Sequence, residues 1–176
     1  RLTQLTDDLL EVSRVQAGEI TLHLEPLDLV ALVKRVRTRL HTAAPHSIRV
    51  ISASKYVVAL VDRRRMEQVL MHLLTNAIKF SPAGGKIVVT LREDRASGLA
   101  ELSVQDHGIG IPPDQQDQIF GRFVRATNAQ QSGISGRGLG LYLCRELIQR
   151  HGGRLWFHSV EGQGSTFTLV VPLYGD

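Results

Sequence analysis

A polar stripe beside an apolar helix face is the first feature of this 176-residue sequence that could carry out chemistry. His72, Asn76 and Lys79 are spaced i, i+4 and i+7, so one helix would stack an imidazole, an amide and an ammonium group in a line. The apolar residues of the same segment recur at helical spacing and predict a buried face next to this line. They are Met66, Val69, Leu70, Leu73, Leu74, Ala77 and Ile78. Taken alone, such a stripe is more often solvated surface.

Glycines accompany two further candidate groups. Asp106 ends a predicted strand and precedes Gly108 and Gly110, so its carboxylate, with flexible backbone beside it, could accept a hydrogen bond from a ligand amine. Residues 136–141 read Gly-Arg-Gly-Leu-Gly-Leu and lead a loop into a predicted helix, where unpaired backbone N–H groups favour phosphate. Each pattern alone is also explained by ordinary turn and cap residues.

The composition limits the classes of protein. With 43% hydrophobic and 22% charged residues, the chain is predicted to form one globular domain of ordinary size. No apolar run approaches the roughly 20 residues that span a bilayer, and the single cysteine cannot form an internal disulfide. We therefore expect a soluble, cytoplasmic chain. The net charge of +4 admits an anionic ligand, but aromatic residues make up only 5% and offer no stacking platform, so no nucleic-acid partner is expected.

Periodicity and turn residues predict the elements that position these groups. Helices are predicted from residue 1 to Gly18, from 29 to about 42, from 66 to 80, from about 113 to 120 and from 139 to 151. Strands are predicted at 21–25, 48–52, 56–61, 86–93, 99–105, 154–160 and 165–172. This order predicts an α+β fold, a two-layer α/β sandwich with a mixed, mostly antiparallel sheet covered on one face by helices. The polar stretch between Gly121 and Gly138 is too long for an ordinary connection, which indicates a functional lid or a disordered segment.

The first helix carries a seam of apolar residues at Leu2, Leu5, Leu9 and Val12. Spacing by three and four residues is typical of a coiled coil or helical bundle. Its partners would lie in a preceding part of the protein or in a second copy of the chain. A helix that lies on its own domain explains the seam equally well.

Together, the motifs strongly resemble the catalytic, ATP-binding domain of bacterial two-component sensor histidine kinases. In that family an asparagine box, a glycine box, a phenylalanine box and two further glycine boxes follow one another. Here their order is matched by Asn76 with Lys79, 106–110, 119–123, 136–141 and 162–164. Residues 5–14 look like the end of the second helix of the family's dimerisation and phosphoacceptor domain. The resemblance thus divides the chain into 1–18, the end of that helix, and 19–176, the catalytic domain, with a lid at about 121–137.

For the base of ATP, the resemblance implies that Asp106 accepts a hydrogen bond from the adenine amine. Guanine presents a carbonyl at that position, so two acceptors would face each other and adenine would be preferred. Thr166 would support the edge of the base, and Phe80 and Ile111 would contact its ring.

For the phosphates, the resemblance implies that Asn76 and Lys79 are the catalytic residues. The amide oxygen of Asn76 would bind Mg²⁺, a cation that prefers oxygen ligands and retains several waters. Lys79 would contact phosphate oxygens, and Arg122 or Arg125 would add contacts from the lid. The remaining residues of the implied ATP site are Gly108, Gly110, Gly136, Arg137, Gly138, Leu139, Gly140 and Leu141.

Two departures from the family pattern refine this expectation. His72 occupies the position where the family usually has asparagine and where the related chaperone and gyrase ATPases have a water-activating glutamate. Histidine matches the ligand preference of Mg²⁺ poorly, and Glu67, at about 100° per residue, points well away from His72. Transfer of the γ-phosphoryl group is therefore favoured over hydrolysis.

None of the seven histidines has the Ser-His-Glu context of the family's phosphoacceptor. We therefore expect a catalytic fragment of a protein-histidine kinase that acts on the dimerisation and phosphoacceptor domain of a homodimer and, through it, on a response regulator. Whether the intact protein is anchored in a membrane stays open. The alternatives are an ATP-hydrolysing or a non-catalytic nucleotide-binding member of the same superfamily, or a basic nucleic-acid binder.

Overall fold

The structure is a computed structural model that describes residues 2–40 and 45–175. Within these residues, helices and strands follow one another in the order α1 (Leu2–Gln16), β1 (Glu25–Asp28), α2 (Leu29–Arg39), β2 (His46–Ser52), β3 (Val58–Val61), α3 (Arg63–Lys79), β4 (Gly85–Asp94), β5 (Leu99–Gln105), a 3-10 helix (Pro113–Gln118), α4 (Thr127–Gln131), α5 (Gly140–Arg150), β6 (Arg154–Val160) and β7 (Gly164–Pro172). None of the helices in this part of the chain is long and apolar enough to cross a membrane.

The main sheet has five strands in the order β2-β4-β5-β7-β6. Strands β2 and β4 are parallel, and the other neighbours are antiparallel. The two predicted hairpins are β4 with β5 and β6 with β7. Strands β1 and β3 form a separate two-stranded antiparallel sheet. The predicted α+β sandwich with a mixed, mostly antiparallel sheet is confirmed.

One face of the main sheet carries the core. In β4 the alternate residues Ile87, Val89 and Leu91 are buried, while the residues between them are partly exposed. This is the period of a strand with one covered face. Helices α2, α3 and α5 contribute their apolar sides to the same core. In α3 the buried residues are Met66, Val69, Leu70, Leu73, Leu74 and Ala77, as the sequence predicts.

A buried histidine links the end of α5 to the start of α3. His151 Nε2 accepts a hydrogen bond from the Asp62 N–H at 3.0 Å, and Nδ1 donates to the Leu147 carbonyl at 2.7 Å. Burial lowers the pKa of His151, so the neutral ring is the stable form. The Asp62 carboxylate caps α3 by accepting from the Arg65 N–H at 3.1 Å. These contacts fix the helix that carries the polar stripe.

Several element boundaries differ from the sequence predictions. The strand predicted at 21–25 is wrong: β1 begins at Glu25 and runs through Pro26, which an edge strand tolerates. Helix α2 is observed to Arg39, and its predicted end at about Thr42 lies outside the described residues. The helix predicted to reach Phe120 is a 3-10 helix that ends at Gln118.

Helix α1 packs on the same chain through its second half. Val12 and Val15 are buried in the main core, and the Val15 carbonyl accepts from the Arg150 guanidinium at 2.6 Å. Leu9 is 41% exposed. The side chains at positions 2 and 5 of the predicted seam lie outside the described residues. The end of the seam at Val12 therefore packs in the same core as α2, α3 and α5.

Candidate nucleotide-binding site

A cleft of about 600 Å³ lies between α3, the loop after β5, the segment before α5 and the start of α5. Its volume lies in the range of small-molecule sites. The predicted site residues that line it are Asn76, Lys79, Phe80, Asp106, Gly110, Ile111, Arg125, Gly136, Arg137, Gly138, Leu139, Gly140 and Leu141. Gly108, Arg122 and Thr166 lie outside this lining. Folding thus brings three separate motifs to one cavity.

Asp106 provides the hydrogen-bond acceptor at one end of the cleft. Its Oδ1 accepts from the Gly108 N–H at 2.9 Å and from the Ser165 N–H at 3.3 Å. Among the described residues, no hydrogen bond to Oδ2 is found. Burial raises the pKa of this carboxyl, against the effect of the two backbone donors. One oxygen therefore fixes the side chain, and the other is available to a ligand.

Apolar side chains surround Asp106 and shape a slot for a flat ring. Ile109, Ile111 and Ile134 line the cleft together with Phe80 and Phe167. Behind them, Phe167 stacks on Phe157 with ring centroids 5.4 Å apart, and Phe120 meets Phe157 edge-on at 5.6 Å. These ring contacts hold the wall of the slot rigid.

The glycines after Asp106 allow the loop to pack closely on the protein. A Cβ on Gly108 would lie 2.0 Å from the carbonyl oxygen of Phe80. Gly110 has a φ of +65°, and a Cβ there would lie 2.2 Å from the carbonyl oxygen of Val160. Only glycine satisfies both positions. Gly108 thus positions Asp106 from outside the cleft lining.

Lys79 provides a positive charge in the cleft. Its Nζ lies 5.5 Å from the centroid of the Phe80 ring, and a Cβ on Gly136 would lie 3.3 Å from it. Burial, with a smaller contribution from the nearby Arg125, lowers the pKa of Lys79. Helix α5 begins here at Gly140 without a side-chain cap, so its first N–H groups can bind an anion.

His72 lies beneath the start of α5. A Cβ on Gly140 would lie 3.0 Å from His72 Nδ1, so glycine at this position leaves room for the ring below the start of the helix. Burial lowers the pKa of His72, while the carboxylates of Asp8 and Glu11 act in the opposite direction. No hydrogen bond to either ring nitrogen is found in the described part of the chain. His72 therefore presents a neutral imidazole to the cleft that Asn76 also lines.

Asp8 is a cleft residue that the sequence analysis did not identify. It lies on α1, lines the cleft, and places Oδ2 3.8 Å from a terminal nitrogen of Arg137. The signal was present, because Asp8, Val12 and Val15 are spaced i, i+4 and i+7 and share one helix side. A carboxylate thus lies near the Arg137 guanidinium in the cleft.

The predicted lid at 121–137 contains α4 and contributes residues to a second, smaller core. This second core consists of the buried residues Ile111, Ile119, Ala126, Ala129 and Ile134. Reciprocal hydrogen bonds join Gln115 and Thr127, with the Thr127 N–H 2.8 Å from Gln115 Oε1 and Gln115 Nε2 2.7 Å from Thr127 Oγ1. In the structure the segment therefore has regular, packed structure.

Magnesium is compatible with the donor groups in the cleft. The amide of Asn76 and the carboxylate of Asp8 offer oxygen atoms, and the described residues contain no group of three or more His, Cys, Asp or Glu that could hold a metal ion. A site with so few protein ligands fits a cation bound mainly through phosphates and water.

Comparison with known families decides the relationship of this chain. Residues 61–175 match the family described as histidine kinase-, DNA gyrase B-, and HSP90-like ATPase. The chain belongs to this ATPase family. All the predicted motifs from the asparagine box onward lie inside the matched range.

Sequence comparison with individual proteins shows which members of the family this chain resembles. The chain is 30% identical to the sensor histidine kinase WalK of Bacillus subtilis over 174 residues, 98% of this chain and 28% of WalK. It is 34% identical to the circadian input-output histidine kinase CikA of Synechococcus elongatus over 176 residues, 97% of this chain and 23% of CikA. The chain therefore spans about a quarter of the length of these relatives.

Solved structures of the ATPase family give the same result. Full-length ShkA in complex with AMPPNP matches with a TM-score of 0.86 and 30% identity, over 99% of this chain and 36% of that chain. The mycobacterial sensor histidine kinase MprB matches with a TM-score of 0.74 and 27% identity, over 88% of this chain and 100% of that chain. The resemblance to histidine kinase catalytic domains predicted from the motifs is confirmed.

Proposed function

We propose that this ATPase-family domain binds ATP with Mg²⁺ and transfers the γ-phosphoryl group to a histidine of a dimerisation and phosphoacceptor domain. The observation that carries the proposal is the combination of groups that line one cleft. Asp106 offers a buried acceptor, and apolar side chains line the same cleft. Lys79 and the uncapped start of α5 offer a positive charge and N–H donors. A nucleoside triphosphate has the matching combination of groups.

The positions of the chain's own residues support the following roles. Asp106 Oδ2 accepts from the adenine amine, and the apolar slot takes the ring. Lys79 and the N–H groups at Gly140 and Leu141 neutralise phosphate charge at fixed positions, which is the main catalytic contribution expected in phosphoryl transfer. Asn76 would hold Mg²⁺ through its amide oxygen, and the cation would neutralise further phosphate charge. Arg125 or Arg122 would add contacts from the lid.

Transfer to a protein nucleophile is favoured over hydrolysis by the carboxylates present. Among the described residues that line the cleft, the carboxylates belong to Asp8 and Asp106. Asp106 lies at the base end, and Glu67 forms an ion pair with Arg39 outside the cleft. In place of a water-activating glutamate, α3 presents His72, in which burial favours the neutral ring.

Partners and location belong to the same proposal. Residues 1–18 would be the end of the phosphoacceptor domain's second helix, and the remaining residues 19–176 the catalytic domain. The histidine that receives the phosphoryl group would pass it to an aspartate of a response regulator. The relatives named sensor histidine kinases support this assignment. A cytoplasmic location fits the use of ATP and the single buried cysteine, Cys144.

Calorimetric titration and a transfer assay test the proposal in sequence. The chain should bind ATP in the presence of Mg²⁺, and radiolabel from γ-labelled ATP should appear on a supplied phosphoacceptor domain of a histidine kinase but not on the chain itself. Absence of ATP binding would refute the nucleotide site. Steady release of inorganic phosphate without transfer would identify a hydrolase instead.

A further inference from the structure

One lid residue reaches across to the loop that carries Asp106. Asn128, on α4, donates from Nδ2 to the Gly110 carbonyl at 3.0 Å and to the Ile109 carbonyl at 3.4 Å. Its side chain also lines the cleft. None of the sequence motifs gives this residue a role, because it lies in the polar stretch between the phenylalanine box and the next glycine box.

The orientation of the Asn128 amide is set by its surroundings. Two carbonyl oxygens face Nδ2, and an amide turned the other way would place its own oxygen against both of them. The oxygen Oδ1 is buried and has no hydrogen-bond partner among the described residues. The side chain therefore uses its donors fully and leaves its acceptor unsatisfied.

The loop that Asn128 holds is connected to both sides of the cleft. The Ile109 N–H donates to the Phe80 carbonyl at 2.9 Å, directly after Lys79 at the end of α3. The Ile109 carbonyl also accepts from the Gly162 N–H at 2.7 Å. Asn128 thus connects the lid to the loop that fixes Asp106 and, through that loop, to the end of α3.

Helix α4 depends on such external contacts. It has five residues, and a helix of this length is not stable alone. The bonds between Gln115 and Thr127 attach it to the neighbouring 3-10 helix, which belongs to the same side of the cleft. The Asn128 bonds instead attach it to the Asp106 loop.

We propose that Asn128 is a positioning residue that couples the closed lid to the base-binding loop. Holding the loop in place favours base binding at Asp106, and by reciprocity base binding favours the closed lid. The unsatisfied Oδ1 keeps this connection reversible, because closing the lid buries an acceptor that water would satisfy in the open lid. The part of the proposal that concerns nucleotide rests on the function proposed above.

The test compares Asn128→Asp with Gln131→Glu. Both replace an amide of α4 by a carboxylate, but Gln131 is exposed and its side chain makes no hydrogen bond among those found in the described residues. In Asn128→Asp an acceptor faces the two carbonyls. A negative charge near the start of a helix stabilises it, so a purely local effect would slow amide hydrogen exchange in α4. Loss of the side-chain connection to the Asp106 loop would instead speed amide hydrogen exchange in α4.

In the nucleotide-free protein, hydrogen exchange of the α4 amides should be about tenfold faster in Asn128→Asp, the effect expected for about one lost hydrogen bond with its carbonyls left unpaired. Exchange in β5 should stay unchanged, and ATP affinity should fall at least about fivefold. Gln131→Glu should leave ATP affinity within about twofold of the wild type. Because Gln131 is the last residue of α4, its carboxylate should speed α4 exchange slightly, but less than Asn128→Asp does. Asn128→Ala, which adds no charge, should change both quantities in the same direction as Asn128→Asp.

Unchanged or slower exchange of α4 in both Asn128 variants would overturn the proposal. So would wild-type ATP affinity in both variants. If the wild type itself binds no ATP, the proposed function fails, and the nucleotide-free exchange measurement still decides whether Asn128 holds the lid on the loop.

Discussion

Replacing Asp106 by asparagine tests the role of a single atom of the candidate site, the carboxylate oxygen Oδ2. In the wild type, Oδ1 accepts from the Gly108 and Ser165 N–H groups. Asparagine can keep both bonds through its amide oxygen, so the loop should stay in place. The change is then confined to the second position, where a carboxylate oxygen becomes an N–H₂ group that faces the adenine amine. Two donors would oppose each other.

The expected size of this effect follows from the lost contact. A hydrogen bond to a charged group contributes about 1.5–3 kcal/mol, and an opposed donor pair adds to the loss. Taking about 2–3 kcal/mol, ATP affinity should fall roughly 30- to 150-fold, since about 1.4 kcal/mol corresponds to a factor of ten. GTP offers a carbonyl oxygen to the new donor, so the ratio of ATP to GTP affinity should fall by at least as much.

Calorimetric competition between ATP and GTP measures this ratio directly. Asp117→Asn is the matched control, because Asp117 is an exposed carboxylate outside the cleft. It should leave both affinities unchanged. An unchanged ratio in Asp106→Asn, with the protein folded, would refute the assignment of Asp106 to the base.

The pH dependence gives a second, independent measure of Asp106. Burial raises the pKa of its carboxyl, so acidification protonates it sooner than an exposed aspartate and weakens its interaction with the amine. ATP affinity of the wild type should fall as the pH is lowered toward this pKa. In Asp106→Asn only the titration of the nucleotide and of other groups remains, so a pH profile parallel to that of the wild type would contradict the reasoning.

Three further predictions concern other groups. Lys79→Met should weaken ATP binding about 10- to 100-fold through loss of a charge-assisted contact, while adenosine binding should change little. Calorimetry with both ligands checks this prediction. Equal losses of affinity for ATP and adenosine would place Lys79 away from the phosphates. Asp8→Asn should strengthen ATP binding by up to about 1 kcal/mol, because it removes a partly exposed negative charge near Arg137. Weaker binding in the same titration would show that the Asp8 carboxylate helps to hold Mg²⁺ instead. For His151, the folded-state pKa lies below the unfolded value near 6.5, so the unfolded chain binds the extra proton and stability is lost as the pH falls from about 6.5 toward the folded pKa. His151→Gln should reduce the slope of stability against pH in that window by up to about 1.4 kcal/mol per pH unit, measured by urea denaturation between pH 7.5 and 5.5, and an unchanged slope would contradict a neutral buried His151.

The sequence was sufficient for the sheet hairpins and for α3, because strong periodicity is local information. Strands β4 and β5 alternate buried and exposed residues, and Gly98 marks the turn between them. The strand predicted at 21–25 failed for a different reason. Pairing of Glu25 with Val61 depends on a partner that lies far away in the chain, and Pro26 argued against a strand at its true position.

The site was predictable where residue chemistry and spacing coincide, and less so where tertiary packing decides. Asp106 and Lys79 could be named from their motifs. Asp8 was missed, because its spacing with Val12 and Val15 shows a shared helix side but not that this side packs beside the cleft. Asn128 was missed because its two hydrogen bonds are to backbone carbonyls. Every residue has a backbone carbonyl, so the residue types do not indicate such a contact.

The close packing of Gly108 on the Phe80 carbonyl attaches the loop that carries Asp106 directly to the end of α3. In the proposed function, Lys79 would contact the phosphates, and the loop held by Phe80, the next residue in the chain, would contact the base. The spacing between base and phosphate contacts would then be set by a single helix end. Ligands that differ only in their number of phosphates should be distinguished by length as well as by charge. Inhibitors that fill only the base slot would not use the contact with Lys79.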